Sequence, residues 1–563
     1  MTSVDPIALE ILHNGLRSVT DETYIALMKS AYSTNIKERN DHSTAIFDAA
    51  GDLVVQADNS LPIHLGSLQG LVTALLAKHR PETMAPGDIF VANDPHVAGG
   101  SHLPDINMAM PVFADGRVVC FVANIAHHAD VGGMSPGSMA GGMSEIYQEG
   151  LRIPVIRLFR AGALVEDVLD LLLLNQRVPE ERRGDYFAQV AACRLGERRL
   201  QELVGRHGTD TLTQAFADII DRTEARMRQA LDGLPDGTWR FEDVMDDDGL
   251  GTRDIPIRLA ITVGGRGNDR RIRFDFAGTG DQVRGNINCT LNATQAAVQY
   301  CLKALLDPEI PNNAGVMRLV ELSAPDGSIV NAAFPAAVAA RLNTGQRVVD
   351  AIIGALAPVL PQAAVAAANG ANTTAVFYGV DPRRGRPYVY LETLGGGFGG
   401  RASKDGKDGV QVHLTNTSNL PVEAIETEYP LLVESYGLVE DSGGAGRQRG
   451  GLGLRRIVRP VGHVATFSGQ GERFVHRPWG LFGGAPGATG RYLKRGPAGD
   501  AALDTKPSAV TLTPDDAVVI ETPGAGGYGP PAERDPAAVA EDRASGKFSP
   551  AYLAAHYGAG GAH

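Results

Sequence analysis

Asp41, His102, Asp105 and His127 are the residues of this chain whose types and placement could do chemistry. Two carboxylates and two imidazoles suit a borderline divalent ion, Zn or Mn first, with Fe or Co also accommodated. A cation in such a set lowers the pKa of a water or polarises a carbonyl or phosphoryl oxygen, so hydrolysis is the simplest reaction to expect. The bland alternative is a structural ion, but structural zinc usually recruits cysteine, and no cysteine accompanies these four. No short consensus such as HExxH is present, so the case rests on how the chain brings the four together.

Two predicted hairpins must do the positioning. Ile106 to Phe113 and Arg117 to Ile125 are rich in Val, Ile, Phe and Met, with the turn signal Asp115-Gly116 between them. A two-residue loop sets Ala114 against Arg117, so paired residue numbers sum to about 231, within one for a bulge. Asp105 then lies opposite Ala126 or His127, with Cβ atoms roughly 5 Å apart. His102 precedes Asp105 by three residues, and Pro104 biases Leu103 away from the helical region, so the pair sits on a loop that can fold over the hairpin mouth. Asp41 stands at the open end of the second hairpin, which turns at Ala50-Gly51. Upstream, Asp5-Pro6 opens a helix over residues 5–30 whose stripe of Leu9, Leu12, Leu16, Val19 and Leu27 packs on this hairpin.

Other polar residues have both a functional and an ordinary reading. His64, in the Gly/Ser-containing connection LPIHLGS, could reach the site but is read as structural or as supporting a ligand. His96 lines an entrance or is simply exposed. Residues 134–154, rich in glycine and methionine, form a flap or a plain surface loop. Asp130, Glu145 and Glu149 are the carboxylates near enough in sequence to act as a base or to support the ligands. His13 and His79 fall in helical contexts where packing is the ordinary role. Arg341, Asn343, Thr344 and Arg347 open an apolar helix, where they bind an anion or merely cap it. The run GGGFGGRASKDGKDG is assigned to an interface or a loop. DFAGTGDQVRGNIN lacks both the GxxxxGK[ST] and the GxGxxG spacing, so no nucleotide site is expected and its Gln282 and Asn286 are read as part of a tight turn.

In order along the chain, IKERNDHSTAIFDAAGDLVVQA, LPIHLGS, FVANDPHVAGGSHLPDI, ANIAHHADVGG, DFAGTGDQVRGNINCTLNATQAAVQY and GGGFGGRASKDGKDG resemble the hydantoinase B/oxoprolinase family. The resemblance implies a B subunit working beside a hydantoinase A-type partner, which binds ATP-Mg and phosphorylates the amide oxygen of a small cyclic substrate. The B subunit is then expected to hydrolyse the activated hydantoin, 5-oxoproline or lactam ring at its metal. Carried over residue by residue, it points to Asp41, His102, Asp105 and His127 as ligands and catalytic centre. His128 stays outside the set, since its side chain points to the other face of the strand. A hetero-oligomer such as a dimer of AB units is implied. The alternatives are a subunit of an ATP-dependent ketone carboxylase and a non-catalytic scaffold.

With 563 residues the chain exceeds one core. The expected class is α+β and multidomain: a metal-site α+β domain over 1–160, a helical region over 161–235, an α/β domain with glycine-rich loops over 236–430, a β-rich domain over 431–530 and a C-terminal arm over 531–563. Lys plus Arg number 52 against 65 for Asp plus Glu, a net charge of −13 with no long basic run, which argues against nucleic acid. Cys120, Cys193, Cys289 and Cys301 lack CxxC spacing and read as buried apolar residues. No apolar run is long enough to span a membrane and the N-terminus has no signal-peptide pattern, so a cytoplasmic location is expected.

Overall fold

A computed structural model describes residues 3–558. The Asp5 carboxylate accepts from the backbone N–H groups of Ile7 and Ala8, so helix α1 (Pro6–Ser30) starts at the Asp-Pro pair. The short α2 (Thr34–Lys37) leads into β1 (His42–Asp48) and β2 (Leu53–Gln56), and α3 (Pro62–Lys78) and β3 (Ile89–Ala92) follow. Next come β4 (Asp105–Ala114), β5 (Arg117–His127), α4 (Ile146–Glu149), β6 (Ile156–Arg160) and β7 (Ala163–Leu164). The strands form one seven-stranded sheet in the order β2-β1-β5-β4-β3-β6-β7, every neighbour antiparallel.

The β4–β5 hairpin turns at Asp115 and Gly116, both with positive φ (50° and 75°), the backbone that matches the twist of the flanking strands. Ala114 pairs with Arg117, and a bulge between Val112 and Phe113 moves the rest by one, placing Asp105 opposite His127 rather than Ala126.

Alternation along these strands divides their side chains between two cores. Ile46, Val112 and Val122 face one way, against α1 and the later helices α6 (Pro179–His207) and α7 (Thr209–Asp232), which follow α5 (Glu166–Leu174). Ala45, Phe47, Ala109, Phe121, Ala123 and Ile125 face the other way, against Leu65, Leu68, Leu71, Val72 and Leu75 of α3. The helical stretch after residue 160 is therefore a layer on the back of the first sheet.

The second sheet has the order β11-β10-β9-β8, built from β8 (Gly237–Asp247), β9 (Arg253–Gly264), β10 (Arg271–Asp275) and β11 (Val320–Ser323), with β10 and β11 parallel. Helices α8 (Leu291–Leu306) and α9 (Arg341–Leu356) pack on it in an extensive core. The third sheet joins β12 (Thr373–Asp381) and β13 (Arg386–Leu394) to strands Ala465–Gln470 and Val510–Leu512. Residue 430 is thus not where the sheets divide, because the second neighbour of β12 comes from far beyond it. A five-stranded sheet of Leu431–Leu438, Leu454–Pro460, Ala517–Glu521, Arg491–Gly496 and Gly499–Ala502 completes the β-rich part.

The glycine-rich runs pack backbone on backbone inside the chain: a Cβ on Gly397 would lie 2.2 Å from the carbonyl oxygen of Gly451. Two helices, Pro536–Ala544 and Pro550–Tyr557, end the described chain and anchor through Phe548 and Leu553 onto Leu452. Residues 559–563 of the expected arm lie outside the described residues. Among those described, no helix is long and apolar enough to cross a membrane.

Candidate metal centre

Strand order β1-β5-β4 builds a row. His127, at the end of β5, pairs with Asp105 on β4, and its backbone N–H donates to the carbonyl of Asp41, which precedes β1, at 3.0 Å. Asp41, Asp105 and His127 have the parity of Ala45, Ala109 and Ala123, so they face α3. His102 comes from the turn before β4 and folds back as its proline suggests, with Nε2 3.0 Å from Oδ1 of Asp105. Nδ1 of His127 lies 3.2 Å from the same oxygen. Ligand atoms of His102, Asp105 and His127 all fall within 4.8 Å of one another, and all three residues are buried. Two donors about 2.1 Å from one ion stand roughly 3.0 to 3.4 Å apart for octahedral to tetrahedral angles, which these separations match. Asp41 lines the same cavity as Asp105 and His127.

The hydrogen bonding around His102 tests whether these residues fit a cation. Its Nδ1 lies 2.9 Å from the Ala339 carbonyl, which can only accept, so the ring proton is on Nδ1. Its Nε2 is buried with no hydrogen-bond partner, as is Nε2 of His127. Burial, reinforced by the Arg341 charge, drives the His102 imidazolium down to about 4, so the ring is neutral at pH 7. A lone pair 3.0 Å from a carboxylate oxygen, with the proton disfavoured, is an arrangement that fits a cation between them.

Asp105 supplies the negative charge. Burial by itself would raise its carboxyl, but His102 and Arg341 outweigh that and hold it well below the usual carboxylate range. Arg341, the first residue of α9, donates to Oδ2 at 2.8 Å and to the Ser101 hydroxyl at 3.1 Å, and Ser101 itself donates to Oδ2. Oδ1 is left to the two rings.

The sequence reading placed His64 in a connection. It lies instead in the first turn of α3, where Pro62 is at a helix-opening position. Its Nε2 lies 3.7 Å from Asp41 and 3.9 Å from Asp105, and its Nδ1 is 2.8 Å from the Ser43 hydroxyl. Leu-Pro followed by an apolar helical stripe was the signal that could have put His64 on the α3 face. Arg341 had a weaker signal, since only the tertiary contact tells a ligand-orienting arginine from a cap.

The remaining candidates lie elsewhere. His128 has the opposite parity, lies 3.1 Å from Gln189 of α6 and packs on Tyr186. His96 is half-buried, its ring 3.0 Å from the Ala336 carbonyl. Asp130 is bound to Arg177 and to backbone N–H groups of its own loop, and Glu145 caps α4 at the surface. Within the glycine- and methionine-rich segment that follows Gly133, Met139 reaches the cavity wall. Glu149 is fully buried and accepts from the N–H groups of Val338 and Ala339. Asn286 and Gln282 hold neighbouring backbone, Arg347 joins a buried ion network with Glu472 and Asp243, and Asn343 accepts from the Asn372 N–H.

A model of the Hydantoinase B/oxoprolinase family matches residues 5–531. The chain belongs to this family. It is 32% identical to a putative D-/L-hydantoinase B subunit from Pseudomonas sp. (strain NS671), over 99% of this chain and 95% of that protein. Longer family relatives, 5-oxoprolinases among them, are matched over about two-fifths of their length. The crystal structure of the ATP-dependent caprolactamase from Pseudomonas jessenii superposes with a TM-score of 0.91 at 30% identity, covering 99% of this family member and 96% of that chain. A nucleotide-free acetone carboxylase shares the fold, with a TM-score of 0.87 at 19% identity over 98% of this chain and 79% of that one.

Proposed function

We propose that this chain is the B subunit of an ATP-dependent cyclic amidohydrolase, which opens a hydantoin, 5-oxoproline or other lactam ring at a divalent cation, Zn or Mn first, held by Asp41, His102, Asp105 and His127. The observation that carries this reading is His102, whose Nδ1–H is committed to Ala339 while its bare Nε2 faces Asp105. A cation there would supply Lewis acidity, drawing electron density from a substrate oxygen and making water more acidic. The protein's own groups prepare that position: His102 and His127 offer lone pairs, Asp105 Oδ1 offers charge, and Arg341 with Ser101 fixes the carboxylate plane. His64 Nε2, between the two carboxylates, is read as a further donor.

ATP has no motif here, and ATP-Mg belongs to a hydantoinase A-type partner, in a cytoplasmic hetero-oligomer such as a dimer of AB units. An amide is a poor electrophile, and phosphorylating its oxygen on the partner lowers the barrier to ring opening. The names of the hydantoinase and caprolactamase relatives support this reading. The fold shared with acetone carboxylase makes an ATP-dependent ketone carboxylase the second reading.

The test is co-expression with the A-type partner, metal analysis of the complex, and comparison of ATP-dependent ring opening with bicarbonate-dependent carboxylation of acetone. Ring opening that Asp105→Ala abolishes together with the metal, while the complex stays assembled, is the expected result. Carboxylation in its place selects the second reading, and unchanged turnover in Asp105→Ala leaves only a scaffold role.

A further inference from the structure

Strand β13 carries two cavities along one face. Leu391 and Thr393 line the small cavity around Asp41, Asp105 and His127. Pro387 and Val389, the preceding residues of the same face, line a separate cleft of about 590 Å³ between the start of α6 and the β12–β13 turn. Alternate residues of a strand share a face roughly 6.5 Å apart, so the cavities are one side-chain step from each other. The partition is apolar: Val389, Leu391 and Met139 pack in one cluster, and the latter two also line the small cavity.

The sizes of the two cavities are complementary. The small one, about 20 Å³, has room for about one water. A lactam ring does not fit there, whereas the cleft falls within the roughly 300 to 1,000 Å³ usual for ligand sites. The cleft also offers both signs of charge in loose pairs. Arg386 stands 3.4 Å from Glu180 and Arg384 3.9 Å from Glu428, all four side chains solvent-exposed. Exposed pairs of this length contribute little and exchange partners readily.

We propose that this cleft is the vestibule of the metal site: it holds the body of a small cyclic amide whose amide group reaches past Met139, and it releases the ring-opened amino acid. Opening the phosphorylated ring consumes two waters, one breaking the C–N bond and one the bond to the phosphoryl group. Inorganic phosphate leaves, and one carboxylate and one amine remain, to which the arginine and glutamate pairs give counter-charges. This inference rests on reading Asp41, His102, Asp105 and His127 as a metal site.

The test uses Pro387→Cys in the complex with the A-type partner. Pro387 is exposed and the four native cysteines are buried, so within this chain a methanethiosulfonate reagent marks the new thiol alone, and the unsubstituted complex treated alike sets the baseline. A benzyl label is expected to slow chelator removal of the metal at least tenfold and to cut turnover of caprolactam and 5-oxoproline by a similar factor. A methyl label should do neither, and 6-aminohexanoate should slow labelling. Unchanged chelation and turnover after benzylation overturn the vestibule while leaving the metal reading intact. A thiol reactive in the free chain but silent in the complex marks the cleft as a partner contact and overturns it too. Absence of metal from the unlabelled complex removes the metal reading, and the vestibule with it.

Discussion

Arg341 and Asp105 share a buried bond, Nη2 to Oδ2 at 2.8 Å, that joins the start of α9 to the start of β4. It ties the second sheet's helix layer to the first sheet at the candidate metal centre. It also divides the carboxylate, one oxygen for the guanidinium and one for the rings of His102 and His127.

Arg341→Met should therefore damage both stability and the site. Removing one partner of a buried pair leaves the other uncompensated, at a cost of about 3–5 kcal/mol. Denaturant midpoints of the metal-free protein should fall accordingly, with metal affinity falling in parallel. A midpoint within experimental error of the unsubstituted protein would contradict the assignment.

The donors should rank by their geometry. His102→Ala and His127→Ala remove ring nitrogens 3.0 and 3.2 Å from Asp105 Oδ1 and should lower metal affinity more than about 100-fold. His64→Ala, with its nitrogen 3.7 Å or more from either carboxylate, should cost about 10- to 100-fold. Chelator competition on the purified variants reads the order directly, and an inverted ranking counts against the assigned donor set.

Glu149 acts on the site at one remove. Its Oε1 accepts from Val338 and Ala339, and the Ala339 carbonyl fixes the His102 tautomer. Burial pushes its carboxyl up to about 8, so Gln is a near match for the protonated form. Glu149→Ala should weaken metal binding about 10- to 100-fold, and Glu149→Gln should restore most of it. Equal losses in the two variants would remove Glu149 from the argument.

Acid should unfold the metal-free protein early. His42 and His128 are held near 4 chiefly by burial, against about 6.5 when unfolded. Between those values the unfolded chain binds more protons than the folded one, so stability is full above about pH 6.5 and falls as pH drops toward 4. Each ring contributes a loss of the order of 3 kcal/mol over that window. His128→Gln, which keeps polarity without titrating, should flatten the pH dependence of the denaturant midpoint.

Local signals decided much of this protein. Asp5-Pro6 and its leucine stripe fixed α1, and Asp115-Gly116 fixed the β4–β5 register to within one residue, because a turn and a period of two are properties of neighbouring letters. The same register put Asp105 against Ala126 or His127, with the bulge at Val112 and Phe113 choosing His127, and parity put His128 on the other face. Tertiary structure alone decided that β1 docks beside β5, bringing Asp41 next to His127, since nothing local names a strand's second neighbour. It also decided that α3 lays His64 over the row, that α9 delivers Arg341 from more than 200 residues away, and that β12 pairs with a strand beyond residue 460. Those contacts are long-range, set by which apolar faces can be buried together, and that choice is made by the whole chain at once.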